Sequence, residues 1–314
     1  MIEQGSEAER IRQMRLGFVF ALAAYLIYGI MPIYMKLLKA VPPGQIMAHR
    51  VIWSVLLLAL IVSLTRRWPA VRTALSKPRM VLAMLLCAVL IGTNWMVYIW
   101  AVLANHVLET SLGFFVTPLM TVLLGVVVLR ERLPRPQAIA VGLATIGVAA
   151  LAIGQGGTLW IALVLAITFS TAGLIRKLAP VDPLCELLIE TSLMAPIALA
   201  WLWWVTAQGQ GAFGADPIDD SLLVLTGVVT AVPLLLFSAA AKRMPYSLAG
   251  QFQYIGPTLQ FLQAVLLFHE PFTPLHMFTF ACIWTGLGIF TYDVLRTARR
   301  NSAATAAAAV ATAD

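Results

Sequence analysis

The chain has 314 residues, 61% of them apolar and only 11% charged, with a mean hydropathy of +0.88. Soluble domains carry about 25% charged residues, so a fully water-exposed globular surface is excluded. A net charge of +7 would also suit a nucleic-acid binder, but the way that charge is distributed excludes this reading too.

A bilayer core about 30 Å thick is crossed by about 20 mostly apolar residues in a helix. Ten such stretches occur, over 16–38, 44–64, 80–104, 107–129, 137–153, 159–178, 183–205, 222–241, 248–268 and 275–295. Their length predicts helices, because membrane strands need only about 9–11 alternating residues.

The first span is too long for a signal-peptide core, and no small-residue cleavage site follows it promptly. It is interrupted by Tyr25, Tyr28, Gly29, Pro32 and Tyr34. The second carries His49 and Arg50, the latter about 9 Å along the helix at 1.5 Å per residue. Arg50 either snorkels to the near interface or serves as a functional charge. In the third span Asn94 and Tyr98 lie one turn apart, near Trp95 and Trp100. The fourth, "HVLETSLGFFVTPLMT", holds Glu109, Ser111, Thr117, Pro118 and Thr121. Glu109 is placed to pair with Arg50 or His106, and an Arg50–Glu109 pair gating the outer mouth is expected.

The seventh span has Glu186 and Glu190 one turn apart near its inner end, and the eighth has Thr226, Thr230 and Pro233. The ninth contains "GQFQYIGPTLQ". Pro257 has no N–H and is expected to free the Gln253 carbonyl at mid-span, and Gly256 weakens the helix further. Gln253, Pro257 and Gln260 share one helical face, with Gln251, Tyr254 and Thr258 on the next. A polar stripe of this kind must face protein or a water-filled cavity. It suits a substrate-contacting wall, or a seam of glutamines bonded to a neighbouring helix.

No metal or catalytic motif emerges. His269-Glu270 starts like H-E-x-x-H, but Pro271-Phe272-Thr273 supplies no second histidine. Cys87, Cys185 and Cys282 lie singly within helices and read as buried thiols. No nucleotide-binding loop, G-x-S-x-G or clustered carboxylate pair is present. The alanine-rich end is low-complexity and is expected to fray.

With the N-terminus in the cytoplasm, 18 of the 21 basic residues fall on the inner side: the N-terminal segment, the loops after even-numbered spans and the C-terminal tail. Lys36 and Lys39 fall outside, and Arg50 within a span. This follows the positive-inside rule, so the basic balance reports topology and no nucleic-acid partner is expected.

The chain also repeats. An offset of 139 residues lays the fourth and fifth spans on the ninth and tenth, matching Pro118 with Pro257, Leu123 with Leu262, Val126 with Val265, Glu131 with Glu270 and Gly147 with Gly286. Five spans per half is an odd number, so the halves have opposite orientation. The arginines flanking Glu131 are accordingly absent around Glu270. Inverted repeats are common in secondary transporters. An offset of 140 places Arg50 opposite Glu190.

The stretches "ALAAYLIYGIMPIYMKL", "AHRVIWS", "VLIGTNWMVYIWAV", "HVLETSLGFFVTPL", "RERLPRPQ", "LIRK", "LIET", "VTAVPLLLFSAAAKR", "GQFQYIGPTLQFLQAV" and "FTFACIWTGLGIF" together resemble the RarD (chloramphenicol-sensitivity protein) family. That family lies in the EamA branch of the drug/metabolite transporter superfamily. The resemblance covers about residues 18 to 293 and extends to unusual polar residues in register. It implies a bacterial inner-membrane permease with both termini cytoplasmic, exporting small metabolites or drugs. Small multidrug-resistance relatives couple to protons through a glutamate in the first helix. The first span here has no acidic residue, so that mechanism does not carry over. The family pattern also departs at Gln251.

The expected architecture is an all-α polytopic membrane protein of ten helices in two inverted five-helix repeats. Its parts are an N-terminal segment 1–15, repeats 16–153 and 154–296, and a tail 297–314. The expected function is a secondary transporter of a small metabolite or drug-like solute working by alternating access, with no cofactor and no enzymatic activity. A membrane-embedded lipid-modifying enzyme and a non-transporting regulatory subunit are the alternatives. Tyr28, Asn94, Tyr98, Gln253, Tyr254 and Gln260 are expected to line the substrate cavity. Arg50, Glu109 and Glu190 are the candidate coupling or gating charges, and Pro118, Gly256 and Pro257 the helix breaks. The partners are the small-molecule substrate and the lipid bilayer, with homodimerisation left open.

Overall fold

The computed structural model describes residues 2–130, 135–155, 157–178, 181–241, 243 and 252–311. Glu131, Lys242 and Gln251 lie outside them. The helices are α1 (Ile2–Leu37), α2 (Pro43–Leu64), α3 (Trp68–Leu75), α4 (Pro78–Leu103), α5 (Val107–Leu129), α6 (Arg135–Gln155), α7 (Leu159–Leu178), α8 (Pro183–Ala207), α9 (Pro217–Ala241), α10 (Ile255–Leu262) and α11 (Pro274–Ala311). Nine of the described helices are long and apolar enough to cross a membrane. The tenth expected span is partly described, as a 3-10 turn Phe252–Tyr254, then α10, then a π-helical stretch Gln263–Leu267.

Boundaries follow local chemistry. α2, α4, α8, α9 and α11 open on proline, whose missing N–H costs nothing in a first turn and whose fixed φ suits a helix. Asp182 caps α8 by accepting from the Leu184 N–H at 3.1 Å. Arg130 (φ 56°) ends α5 in the left-handed region, and Asn105 (φ 63°) turns the chain just after α4. Two features were not foreseen. The short α3 interrupts the loop after α2, and α11 runs through the alanine-rich tail to Ala311, in keeping with alanine's high helix propensity.

The packing has a two-fold pattern. Match α1, α2, α4, α5 and α6 in order with α7, α8, α9, α10 and α11. The α5–α7 contact is then repeated by α10–α1, α1–α9 by α7–α4, and α2–α9 by α8–α4. The pairs α6–α11, α2–α8 and α5–α10 are each a helix against its own counterpart.

Individual residues repeat the pattern at α6–α11. A Cβ on Gly147 would stand 3.0 Å from the Thr279 carbonyl, and one on Gly286 would stand 2.8 Å from the Ala140 carbonyl. The offset of 139 residues maps Ala140 onto Thr279 and Gly147 onto Gly286, so the two contacts exchange. Small residues at such crossings let helices approach without a hydrophobic driving force. The Thr279 hydroxyl adds a bond to the Gly147 carbonyl at 2.9 Å.

Valine at Gly147 or Gly286 should therefore force these backbones apart and destabilise the protein by about 1–3 kcal/mol, whereas Gly142→Ala, with no atom within 4 Å of its added carbon, should be neutral. Thermal unfolding in detergent measures the difference.

Candidate functional site

The seam between α1 and α10 is built from what proline removes. Pro32 lies inside α1 and deprives the Tyr28 carbonyl of its donor four residues on. Gln260 supplies a replacement, its Nε2 donating to the Tyr28 carbonyl at 3.1 Å, and Gln263 donates to the Gly29 carbonyl at 2.6 Å. The helices touch here, since a Cβ on Gly29 would sit 2.5 Å from Leu259 Cδ1. From α5, the Ser111 hydroxyl donates to the Pro257 carbonyl at 2.8 Å.

This resolves the polar stripe of the ninth span. Gln260, 3% exposed, is bonded into the seam between α1 and α10 in this structure. Gln263, overlooked in the sequence, does the same work one turn on. Tyr254 is partly buried and packs against the main core. Gln253 is half-buried and makes no hydrogen bond among the described residues.

The helix breaks shift as well. Gly256 and Pro257 occupy the first turn of α10, where a missing N–H breaks no helical bond. The departure from α-geometry is the 3-10 turn before them and the π stretch after. Pro118 sits inside an uninterrupted α5.

Asn94 is 2% exposed and donates to the Leu165 carbonyl and the Thr168 hydroxyl of α7, both at 2.9 Å. In this structure it ties α4 to α7. Tyr98, one turn on, is 5% exposed, and its hydroxyl has no hydrogen-bond partner. The Tyr98 ring lies 5.7 Å from Phe114, and Tyr28 lies 5.9 Å from Tyr25.

Arg50 does not snorkel. It is 5% exposed, and its guanidinium carbon lies 4.2 Å from the centre of the Trp95 ring. Tyr98, Tyr28 and Tyr34 are its electrostatic neighbours. Its Nε and Nη1 are buried with no hydrogen-bond partner. The expected Arg50–Glu109 gate is absent among the described residues. Glu109 instead accepts from the Thr158 hydroxyl at 2.7 Å and lies 3.7 Å from His106.

Glu190 has the opposite circumstances. It is 1% exposed and takes a two-pronged contact from Arg176, at 2.7 and 3.3 Å, while Arg176 also pairs with Glu186. One guanidinium thus serves two carboxylates. The sequence showed Arg176 only as a topology-setting charge, because nothing local reveals that α8 crosses it. At the other end, Glu270 accepts from the N–H groups of Val107 and Leu108 at 2.9 and 2.7 Å, closing the start of α5. Burial pushes the Glu270 carboxyl above the usual range, and these two bonds pull it back. Lys36 nearby bonds Asn105 at 2.7 Å and lies over Phe268.

These positions can be set beside known proteins. Residues 15–153 match the EamA-like transporter family. Protein RarD of Streptomyces exfoliatus is 43% identical over 298 residues, 95% of each chain. Protein RarD of Escherichia coli K12 is 43% identical over 292 residues, 93% of this chain and 99% of that one. The chain belongs to the RarD family. An uncharacterized transporter of Vibrio cholerae is 44% identical over 89% of this chain and 93% of its own. One crystal structure shares the fold, with a TM-score of 0.59 at 17% identity over 90% of this chain and 98% of that one.

In this RarD-family chain the Arg176 cluster should dominate local stability. Arg176→Met strands two buried carboxylates and should cost on the order of 3–5 kcal/mol. Glu186→Gln should cost much less, since Glu190 keeps its partner. Detergent unfolding of both variants tests the ranking.

Proposed function

We propose that this multi-pass membrane protein is a secondary transporter that moves a small organic solute outward across the bacterial inner membrane by alternating access. The observation that carries the reading is the exchange pattern of helix contacts around a buried polar and aromatic cluster. Two halves related in this way, taken as 16–153 and 154–296, have two packings of similar energy available, facing opposite sides. Relatives in Vibrio cholerae and Pseudomonas aeruginosa are named as transporters, which supports the same class.

The charges of the two halves differ where the halves correspond. The offset of 140 residues pairs Lys36 with Arg176 and Arg50 with Glu190. The inner end therefore carries an arginine–carboxylate lock, and the outer end carries two cations. In alternating access the inner lock must open for substrate to pass, and Arg176 is the charge that would exchange partners. Tyr28 is in electrostatic reach of both Arg50 and Arg176.

Purified protein in proteoliposomes should carry out counterflow of at least one member of a broad metabolite panel and leave that solute chemically unchanged. Chemical conversion of a panel member without flux would replace the transporter with an enzyme. For orientation, cysteine placed at Ala215 in a cysteine-free background should react with an impermeant maleimide in intact cells, and cysteine at Ser76 should not. The reverse labelling overturns cytoplasmic termini.

A further inference from the structure

We infer that Arg50, with the Tyr98 hydroxyl, is the recognition point for an oxyanion, the carboxylate of a small organic substrate. This deepens the transporter reading and rests on it. Arg50 is 5% exposed, and its Nε and Nη1 are buried with no hydrogen-bond partner. No carboxylate pairs with it among the described residues, whereas the matching charge, Glu190, is fully paired. A buried cation keeps its charge only when something compensates it.

The Trp95 face provides part of that compensation, but a ring accepts none of the in-plane N–H bonds. What is missing is an acceptor with negative charge, and a carboxylate matches a guanidinium in both shape and hydrogen bonding. The Tyr98 hydroxyl is an independent second sign. It is buried, unbonded and an electrostatic neighbour of Arg50, a second donor without a partner near the cation. The surrounding groups are rings, which favours an organic anion over a mineral one.

Two sources of oxyanion need separating, a soluble carboxylate and a lipid phosphate. The aromatic enclosure and deep burial favour the small carboxylate. The test is a melting-temperature and tryptophan-fluorescence titration of the full chain in neutral-lipid nanodiscs. The probes are benzoate, phenylacetate and indole-3-acetate, each against its matched amide, with inorganic phosphate alongside, and repeated with phosphatidylglycerol.

At least one carboxylate should raise the melting temperature by about 2–4 °C at saturation while its amide does not. Arg50→Gln should abolish the shift. Tyr98→Phe, which removes one oxygen and keeps the ring, should weaken binding about tenfold, so the inference stays testable if the Arg50 variant does not fold. A shift retained in Arg50→Gln, equal shifts from acid and amide, a response only to phosphatidylglycerol or phosphate, or no shift with any probe would each overturn it.

Flux separates this from the transporter reading. Arg50-dependent carboxylate binding without flux of any solute keeps the anion site and removes the transporter. Counterflow of neutral solutes with no Arg50-dependent binding does the reverse.

Discussion

Within hydrocarbon a backbone carbonyl that loses its helical donor must find another, because no water is there to supply one. Much of this architecture answers that constraint. Pro32 opens α1 at Tyr28, and Gln260 of α10 reaches across to close it. The bond joins the first helix of one half to the fourth of the other. A local backbone defect thereby becomes a contact between halves, with the close approach at Gly29 making the reach short enough. Ser111 on the Pro257 carbonyl and Ser170 on the Thr117 carbonyl add side-chain bonds across the neighbouring seams, at carbonyls that keep a non-proline donor four residues on.

Charges obey a harsher form of the rule. Arg176 sits between two glutamates. At the corresponding outer position Arg50 has aromatic rings and no acid. Two halves built on one plan thus diverge in their second helices, where Glu190 is paired with an arginine and Arg50 has no acidic partner among the described residues.

The spans were legible because length and hydropathy suffice for a helix in a bilayer, and nine of ten expected stretches coincide with long apolar helices among the described residues. The repeat was legible because Gly147 and Gly286 answer to the same packing demand at the same offset. The site was less so. Gln260 and Asn94 looked like cavity walls, since a sequence shows a polar residue in lipid without showing what it bonds. Gln263 escaped notice for lying beyond the conspicuous proline, and Arg176 for resembling every other charge at a helix end. The π stretch Gln263–Leu267 has no local signature, because it depends on how α10 fits against α1.

By itself the sequence determined the class, the number and order of spans, the charge asymmetry between loops and the kinship of the two halves. These follow from hydrophobic length and from side chains compared one by one, neither of which needs a neighbour. Only the tertiary structure decided which polar residues are spent on packing and which are left over. That assignment depends on the distance between donor and acceptor on helices far apart in the chain. The Gln260 and Asn94 amide N–H groups find acceptors on α1 and α7, whereas the Nε and Nη1 of Arg50 and the hydroxyl of Tyr98 find no partner among the described residues.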